Sequence, residues 1–339
     1  MRAAVRDRYG GPDVVQVRDV ERPVAVDDIV VVRVVAASVN RADLDFLYGL
    51  PKVARAATGL RAPRISAVGV DVAGVVDAVG PGVTRLKPGD SVFADLYPFS
   101  HGSFAEYAAA HERAFARIPD GLSFEQAATL PHSGILALQG LRRRNGRTVG
   151  PGDRVLIDGA SGNVGPFAVQ IAKDLGAEVT AVCSADKADF VRSLGADHVL
   201  DYRAIDPTRT GERYDWILAV ASYHRLLEYR RALRPGGVFV TLGGTTTMLF
   251  ESMLLGPLLT LAGRRQMGMM LWWKPFDHAD AATLARLVLA GRITPVIDRT
   301  YSLEQIVDAL RFVDENRATG KVLISPSATA YAPAPTGAR

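Results

Sequence analysis

Residues 153–202 spell out a strand, a glycine turn, a helix and a second strand, an order that leaves few folds open. Val155-Leu156-Ile157 is short and apolar enough for a buried strand, and it leads into Gly159-Ala160-Ser161-Gly162-Asn163-Val164-Gly165. Val164, Ala168, Ile171 and Leu175 then recur at helical spacing, Gly176 supplies a stop, and residues 178–183 read as the next strand. The turn carries the chemistry. Glycines let the backbone approach a pyrophosphate, and a helix N-terminus offers unpaired N–H groups with partial positive charge. As a fingerprint it is A-x-G-x-x-G, on Ala160, Gly162 and Gly165, so Ala160, Ser161, Gly162, Asn163, Val164 and Gly165 are candidate dinucleotide contacts. Further strands near residues 198–200, 214–220 and 238–242 alternate with helices, which predicts an α/β fold built on a doubly wound parallel sheet.

A chain of 339 residues fits two domains. The first third has β-branched runs at residues 30–35, 70–79 and 91–94, separated by Gly80-Pro81-Gly82 and Lys87-Pro88-Gly89-Asp90, and reads as a β-rich, barrel-like domain. The expected boundaries are a β-rich domain over 1–122 and a nucleotide domain over 123–265. Residues 266–325 return to the first domain, and 326–339, rich in Ala, Pro, Ser and Thr, form a disordered tail. Ser302 and Gln305 form a capping pair ahead of a helix whose buried stripe is Ile306, Leu310 and Val313. The 40 basic residues face 36 acidic ones with signs interspersed, so no nucleic-acid partner is expected; Arg142-Arg143-Arg144 reads as a solvated helix end. The single cysteine, Cys183, excludes an internal disulfide and a cysteine zinc cluster, and fits a reducing compartment. Residues 1–5 enter a strand pattern without a signal-like apolar core. The most membrane-like stretch, 248–262, is interrupted by Glu251 and Gly256-Pro257 and falls short of the ~20 apolar residues a span needs. A cytoplasmic protein with no membrane span is expected.

The order of a β-rich domain, then G-A-S-G-N-V-G opening a helix that reads A-V-Q-I-A-K-D-L-G-A, then S-L-G-A-D-H-V-L-D-Y, resembles the medium-chain dehydrogenase/reductase superfamily, in its zinc-independent quinone oxidoreductase branch. The similarity runs to about Ile324 and includes Ser38-Val39-Asn40-Arg41-Ala42-Asp43, Gly102-Ser103-Phe104-Ala105-Glu106-Tyr107 and Thr319-Gly320-Lys321-Val322. It implies a GroES-like catalytic domain beside a Rossmann domain. Zinc members of the superfamily place a cysteine where this chain has Asn40 and a His-Glu pair where it has Val70-Asp71. His132 lies near their third ligand, but one imidazole is not a site, since a catalytic zinc needs about three protein ligands. No metal is expected.

NAD-specific Rossmann folds carry an acid at the end of the second strand. Here Cys183 and Ser184 stand there, with Lys187 within one helical turn, and the resemblance adds Tyr202 as a phosphate or adenine contact. NADPH is therefore preferred over NADH, with NADH possible. A hydrogen bond to a charged group contributes ~1.5–3 kcal/mol, so loss of Lys187 is expected to weaken NADPH binding roughly tenfold to a hundredfold. The resemblance places Val220, Ala221, Gly243 and Gly244 at the nicotinamide, although Ala221 stands where glycine is usual and Leu136 where threonine is common. It implies hydride transfer to a quinone or to the β-carbon of an α,β-unsaturated carbonyl, both small apolar acceptors. Asn40 is the first candidate for a donor to the developing negative charge; Tyr48 and His132 are weaker candidates for donor or proton source. The alternatives are an NADP-dependent alcohol dehydrogenase or ketone reductase, and a non-catalytic NADPH-binding protein. Residues 248–276, rich in Met, Leu and Trp, are expected to cover the acceptor pocket at one end and form a homodimer contact at the other. In relatives of this fold the strand at that point pairs with its copy in a partner chain.

Overall fold

The computed structural model describes residues 1–97, 99–142, 146–221, 223–261, 263–270 and 273–326. The expected disordered tail lies almost wholly outside them, as do Arg143, Arg144, Leu271 and Trp272 of the runs noted above. The chain divides into two compact units, Met1–Ala128 with Arg299–Glu315 and Val322–Arg339, and Thr129–Asp298 with Asn316–Lys321.

The first unit is β-rich. A small antiparallel pair, β1 (Arg2–Val5) and β2 (Gln16–Asp19), accompanies a larger sheet. That sheet contains β3 (Ile29–Val39), β4 (Asp71–Val79), β5 (Ser91–Asp95), β6 (Tyr107–His111) and β7 (Phe115–Arg117), with β14 (Ile297–Ser302) and β15 (Lys321–Ser325) joining from the far end of the sequence in the order β14-β15-β3-β4-β5-β7. β3 is its spine: it pairs with β4, β6 and β15, and register shifts at Val31/Val32 and Val34/Ala36 bend it. Alternation of inward and outward residues is lost along β3, where Val30, Val31, Val32 and Val34 are all buried, as a strand covered on both faces requires.

The second unit holds six parallel strands. β8 (Arg154–Asp158), β9 (Glu178–Cys183), β10 (His198–Asp201), β11 (Tyr214–Ala219), β12 (Leu233–Thr241) and β13 (Gln266–Met269) lie in the order β10-β9-β8-β11-β12-β13. Strand order reverses beside β8, so the β8 and β11 carboxyl ends form the crevice where ligands of open α/β sheets bind. The doubly wound reading thus holds.

The domain boundaries differ from the expected ones. β13 pairs with β12 in register from Val238↔Gln266 to Thr241↔Met269 and extends the parallel sheet. Residues 266–298 therefore belong to the nucleotide unit, and the return begins at Arg299. The Thr246–Leu261 helix runs through Gly256-Pro257 without a break. A Cβ at Gly256 would lie 2.7 Å from the Met267 carbonyl oxygen, so glycine alone lets this helix rest on β13. The Thr260 hydroxyl donates to the Gly256 carbonyl at 2.8 Å and accepts the Met267 N–H at 2.9 Å, binding helix to strand beside the proline. Among the described residues no helix is long and apolar enough to cross a membrane.

Candidate active site

In the second unit the β8 strand ends at Asp158 and the chain turns through residues 159–164 into the Gly165–Asp174 helix. A Cβ at Gly165 would sit 2.4 Å from the Ala160 carbonyl, so glycine is needed for the helix to pack against the turn. At Gly162 the nearest atom would be 3.9 Å away. That open space above the turn, at the head of a helix, is the cradle a pyrophosphate needs, so the residues present fit a dinucleotide. Ala160 and Val164 are buried and hold the turn from below; Ser161 and Asn163 are partly exposed on it. The Val220 and Ala221 N–H groups donate to the Asp158 carbonyl at 2.8 and 3.2 Å, and a Cβ at Gly243 would lie 2.8 Å from the Val220 carbonyl. Val220, Ala221, Gly243 and Gly244 are therefore brought together at the β11 and β12 ends, adjacent to the turn.

Beyond β9, Ser184 is buried, and its hydroxyl bond holds the Asp186 carboxyl below its ordinary range. Tyr202 is half exposed, and its N–H donates to the Cys183 carbonyl at 3.2 Å. Lys187 has a different occupation from the one expected. Its Nζ donates to the Asn316 and Ala318 carbonyls, both at 2.7 Å, and burial lowers its pKa. Two cations that the sequence reading did not single out flank this region: Arg203, whose guanidinium lies 5.5 Å from the Tyr202 ring centre, and the exposed Arg317 between the two carbonyls that hold Lys187.

His132 is buried within a π-helical turn, Leu130–Gly134, and meets the Trp273 ring edge-on at 5.6 Å. π-turns concentrate at functional sites. Its neighbour Ser133 accepts a 3.1 Å hydrogen bond from Lys321 Nζ, and that lysine is fully buried. Asp158 is buried as well, with the Tyr229 hydroxyl donating to it. Burial pushes the Asp158 carboxyl up to about 6 against that hydrogen bond. An acid ending an otherwise apolar strand was the signal available for it.

In the first unit Asn40 heads the Arg41–Tyr48 helix, its N–H donating to Asp43 Oδ2 at 2.7 Å. The Asn40 side chain is almost fully buried and its Nδ2 donates to Asp71 Oδ2 at 2.9 Å and to the Ser38 carbonyl at 3.4 Å; Ser38 Oγ donates to the same carboxylate oxygen at 2.9 Å. Both amide protons are thus engaged, and the group is held in one orientation by a buried carboxylate 31 residues away. Tyr48 donates to Asp314 Oδ2 at 2.5 Å, a bond that raises its pKa and makes it a poorer acid. His101, edge-on to Phe46 at 4.6 Å, is pulled by burial down to about 4 and is neutral at neutral pH.

These donors do not suit a catalytic zinc. Asn40 spends its amide on Asp71, Val70 is a buried aliphatic chain, and among the described residues no group of three His, Cys, Asp or Glu side chains is placed to hold a metal ion.

Residues 26–120 match the alcohol dehydrogenase GroES-like domain, and residues 194–324 match the family described as zinc-binding dehydrogenase. The quinone-oxidoreductase QR1 of Triphysaria versicolor is 32% identical over 336 residues, covering 96% of this chain and 98% of that protein. The NADPH-dependent alkenal/one oxidoreductase of Arabidopsis thaliana is 31% identical over 339 residues, covering 96% and 80%. Among solved structures, the quinone oxidoreductase from Coxiella burnetii superposes with a TM-score of 0.84 at 25% identity, covering 96% of this chain and 99% of that one. With the two matched domains in this order and such relatives spanning nearly the whole chain, the protein belongs to the medium-chain dehydrogenase/reductase superfamily, in its quinone oxidoreductase-like branch.

Proposed function

We propose that the protein is an NADPH-dependent reductase that transfers hydride to a quinone or to the β-carbon of an α,β-unsaturated carbonyl, without zinc. The observation that carries this reading is the glycine turn: an open cradle at Gly162 at the head of a helix, next to the convergent β11 and β12 ends. Relatives named as a quinone oxidoreductase and as an NADPH-dependent alkenal/one oxidoreductase support the acceptor class. Bound NADPH supplies the hydride. The chain's own task is to hold the pyrophosphate on the turn and the nicotinamide beside Val220, Ala221, Gly243 and Gly244, and to keep water from the acceptor. Conjugated acceptors suit a donor set without a Lewis acid, because the developing charge spreads over the conjugated system and one hydrogen-bond donor stabilises it. Asn40, oriented by Asp71, is the donor proposed for that charge, the longer 3.4 Å bond from its Nδ2 to the Ser38 carbonyl being the one it would release.

The reading extends to assembly and location. The Thr246–Leu261 helix turns Leu254, Leu258 and Leu261 outward, each more than 60% exposed, next to the edge strand β13. A second copy of the chain is the proposed cover for Leu258, Leu261 and β13 in a cytoplasmic homodimer, while Met253 and Leu254 stand at the acceptor end of the segment. The decisive experiment follows NADPH and NADH consumption across quinones, enones, aldehydes and simple ketones. Turnover confined to quinones and enones is expected; turnover only on alcohols or simple ketones refutes the acceptor class, and tight cofactor binding with no turnover refutes the enzyme.

A further inference from the structure

The 25 residues between Asp45 and Asp71 carry four cations, Lys52, Arg55, Arg61 and Arg64, and no carboxylate. Along the same stretch the first unit turns four aliphatic side chains to solvent: Val53 and Leu60 are 66% and 75% exposed, Ile65 48% and Leu50 39%. Single exposed aliphatics are ordinary, but four within 16 residues, interleaved with positive charge, mark an interaction surface. Its frame is fixed from beneath. Arg55 lies over the Tyr9 ring at 4.3 Å and donates to the Gly49 and Tyr48 carbonyls at 3.1 and 2.7 Å, which anchors the helical turns Lys52–Ala54 and Arg55–Thr58. The Tyr9 hydroxyl donates to the Gly59 carbonyl at 2.8 Å. The Arg64 N–H donates to the Thr58 carbonyl at 2.8 Å and closes residues 58–64 into a tight loop, so Arg64 and Ile65 return beside the end of the second turn. Gly59 makes that loop possible: its φ is +123°, and a Cβ there would lie 2.0 Å from the Ala62 carbonyl oxygen.

Arg55 is spent on this frame, whereas Lys52, Arg61 and Arg64 are exposed and pair with no carboxylate among the described residues. The acids that flank the segment in sequence or at its root are taken by other arginines: Asp7 by Arg18, and Asp45 and Asp314 by Arg41 at 3.4 and 3.3 Å. The three cations therefore face outward with their charge unspent. Residues 49–70 also hold no Trp, Tyr or Phe, the anchors that dominate protein interfaces. Aliphatic chains among unspent cations fit a partner that is apolar within and anionic at its rim. A bilayer with anionic headgroups is both, since aliphatic side chains enter the acyl boundary while lysine and arginine stems lie along it and carry their charge to the phosphates.

We propose that residues 50–65 form a docking surface for a membrane bearing anionic phospholipids, with Val53, Leu60 and Ile65 at the acyl boundary and Lys52, Arg61 and Arg64 on the headgroup phosphates. Docking sets the chain against the phase in which apolar quinones concentrate, and it stands or falls independently of the acceptor reading. The test is co-sedimentation of the full chain with vesicles of phosphatidylcholine alone and of phosphatidylcholine with one-third phosphatidylglycerol, at low and high salt. Wild type should bind the phosphatidylglycerol vesicles, leave the neutral ones largely unoccupied, and be released by high salt. Lys52→Gln, Arg61→Gln and Arg64→Gln together should weaken binding by about a hundredfold, at about fivefold per cation, and flatten the salt dependence. Val53→Gln with Leu60→Gln should weaken it by about tenfold and keep the salt dependence. Arg192→Gln, Arg213→Gln and Arg286→Gln together remove the same charge from the nucleotide unit and should leave binding unchanged. Every substituted side chain is exposed, so the fold is kept. A wild type that ignores phosphatidylglycerol vesicles overturns the proposal. So does a control that loses as much affinity as the triple variant of the segment, or an apolar double variant that binds like wild type.

Discussion

Replacing Asp158 with asparagine should make the nucleotide unit more stable at neutral pH and leave it nearly unchanged in acid. The carboxyl is buried at the end of β8, faces the Tyr229 hydroxyl, and has His224 beyond, packed edge-on to Tyr229 at 5.7 Å with Asp206 3.6 Å from its Nδ1. Burial raises its pKa from 3.8 to about 6; the Tyr229 bond and His224 pull it back and Asp206 adds to the rise. A carboxyl whose pKa is higher folded than unfolded favours folding in its protonated form. The stability it contributes is therefore full below the unfolded pKa and is lost as pH climbs through 4 towards 6. Two pKa units correspond to about 3 kcal/mol at 1.36 kcal/mol each. The Asp158→Asn side chain would keep an acceptor oxygen for Tyr229 and carry no charge, so the stability difference between variant and wild type should grow by about that amount between pH 4 and pH 7. Urea unfolding followed by tryptophan fluorescence reports it, because Trp216 is fully buried in the same unit and donates to the Gly140 carbonyl at 3.0 Å. Tyr229→Phe removes a bond that favours the charged form and should shift the transition to higher pH. A stability difference that is flat from pH 4 to 8, or one that favours wild type at pH 8, refutes the reasoning.

Elemental analysis of the purified protein should show no stoichiometric zinc and activity indifferent to chelators; one zinc per chain with activity lost to chelation sinks the zinc-free mechanism. Sedimentation at micromolar concentration should give a dimer, and Leu258→Lys with Leu261→Lys should shift it towards monomer, whereas a monomeric wild type removes the role proposed for the outward leucines. Asn40→Asp sets a second carboxylate against Asp71 in a buried site and should cost several kcal/mol at pH 7, less at pH 4 where protonation relieves the repulsion; equal stability at both pH values contradicts the Asn40–Asp71 contact.

Much of the fold is legible because its signals are local. The β9 strand coincides with the run that ends at Cys183, and the capping pair Ser302 and Gln305 does open a helix, through a short 3-10 turn at Leu303–Gln305. The misreadings came where local chemistry was overruled by a neighbour. Gly256-Pro257 marks a break by propensity, yet the helix persists because Thr260 and β13 satisfy the groups around it. The 266–298 stretch carries a short strand that nothing in its own residues assigns to one sheet or the other; pairing with β12 decides it.

The site divides along the same line. A glycine turn states its chemistry within seven residues, since what it needs is backbone room and a helix end. The occupation of a charged or amide side chain depends on partners the sequence places far off: Asn40 on Asp71 31 residues away, Asp158 on Tyr229 71 away, Lys187 on carbonyls 129 and 131 away. A lysine one turn past a strand end is compatible with a phosphate ligand and with a backbone clasp, and its own neighbourhood holds nothing that separates the two. The contacts the structure gives Lys187 Nζ come from the distant 316–318 backbone, whose two carbonyls at 2.7 Å take two of its three protons. Arg203, by contrast, stands exposed beside Tyr202, its guanidinium 5.5 Å from that ring centre and its Nη1 3.9 Å from Asp186 Oδ1, in contacts that its own sequence neighbourhood supplies.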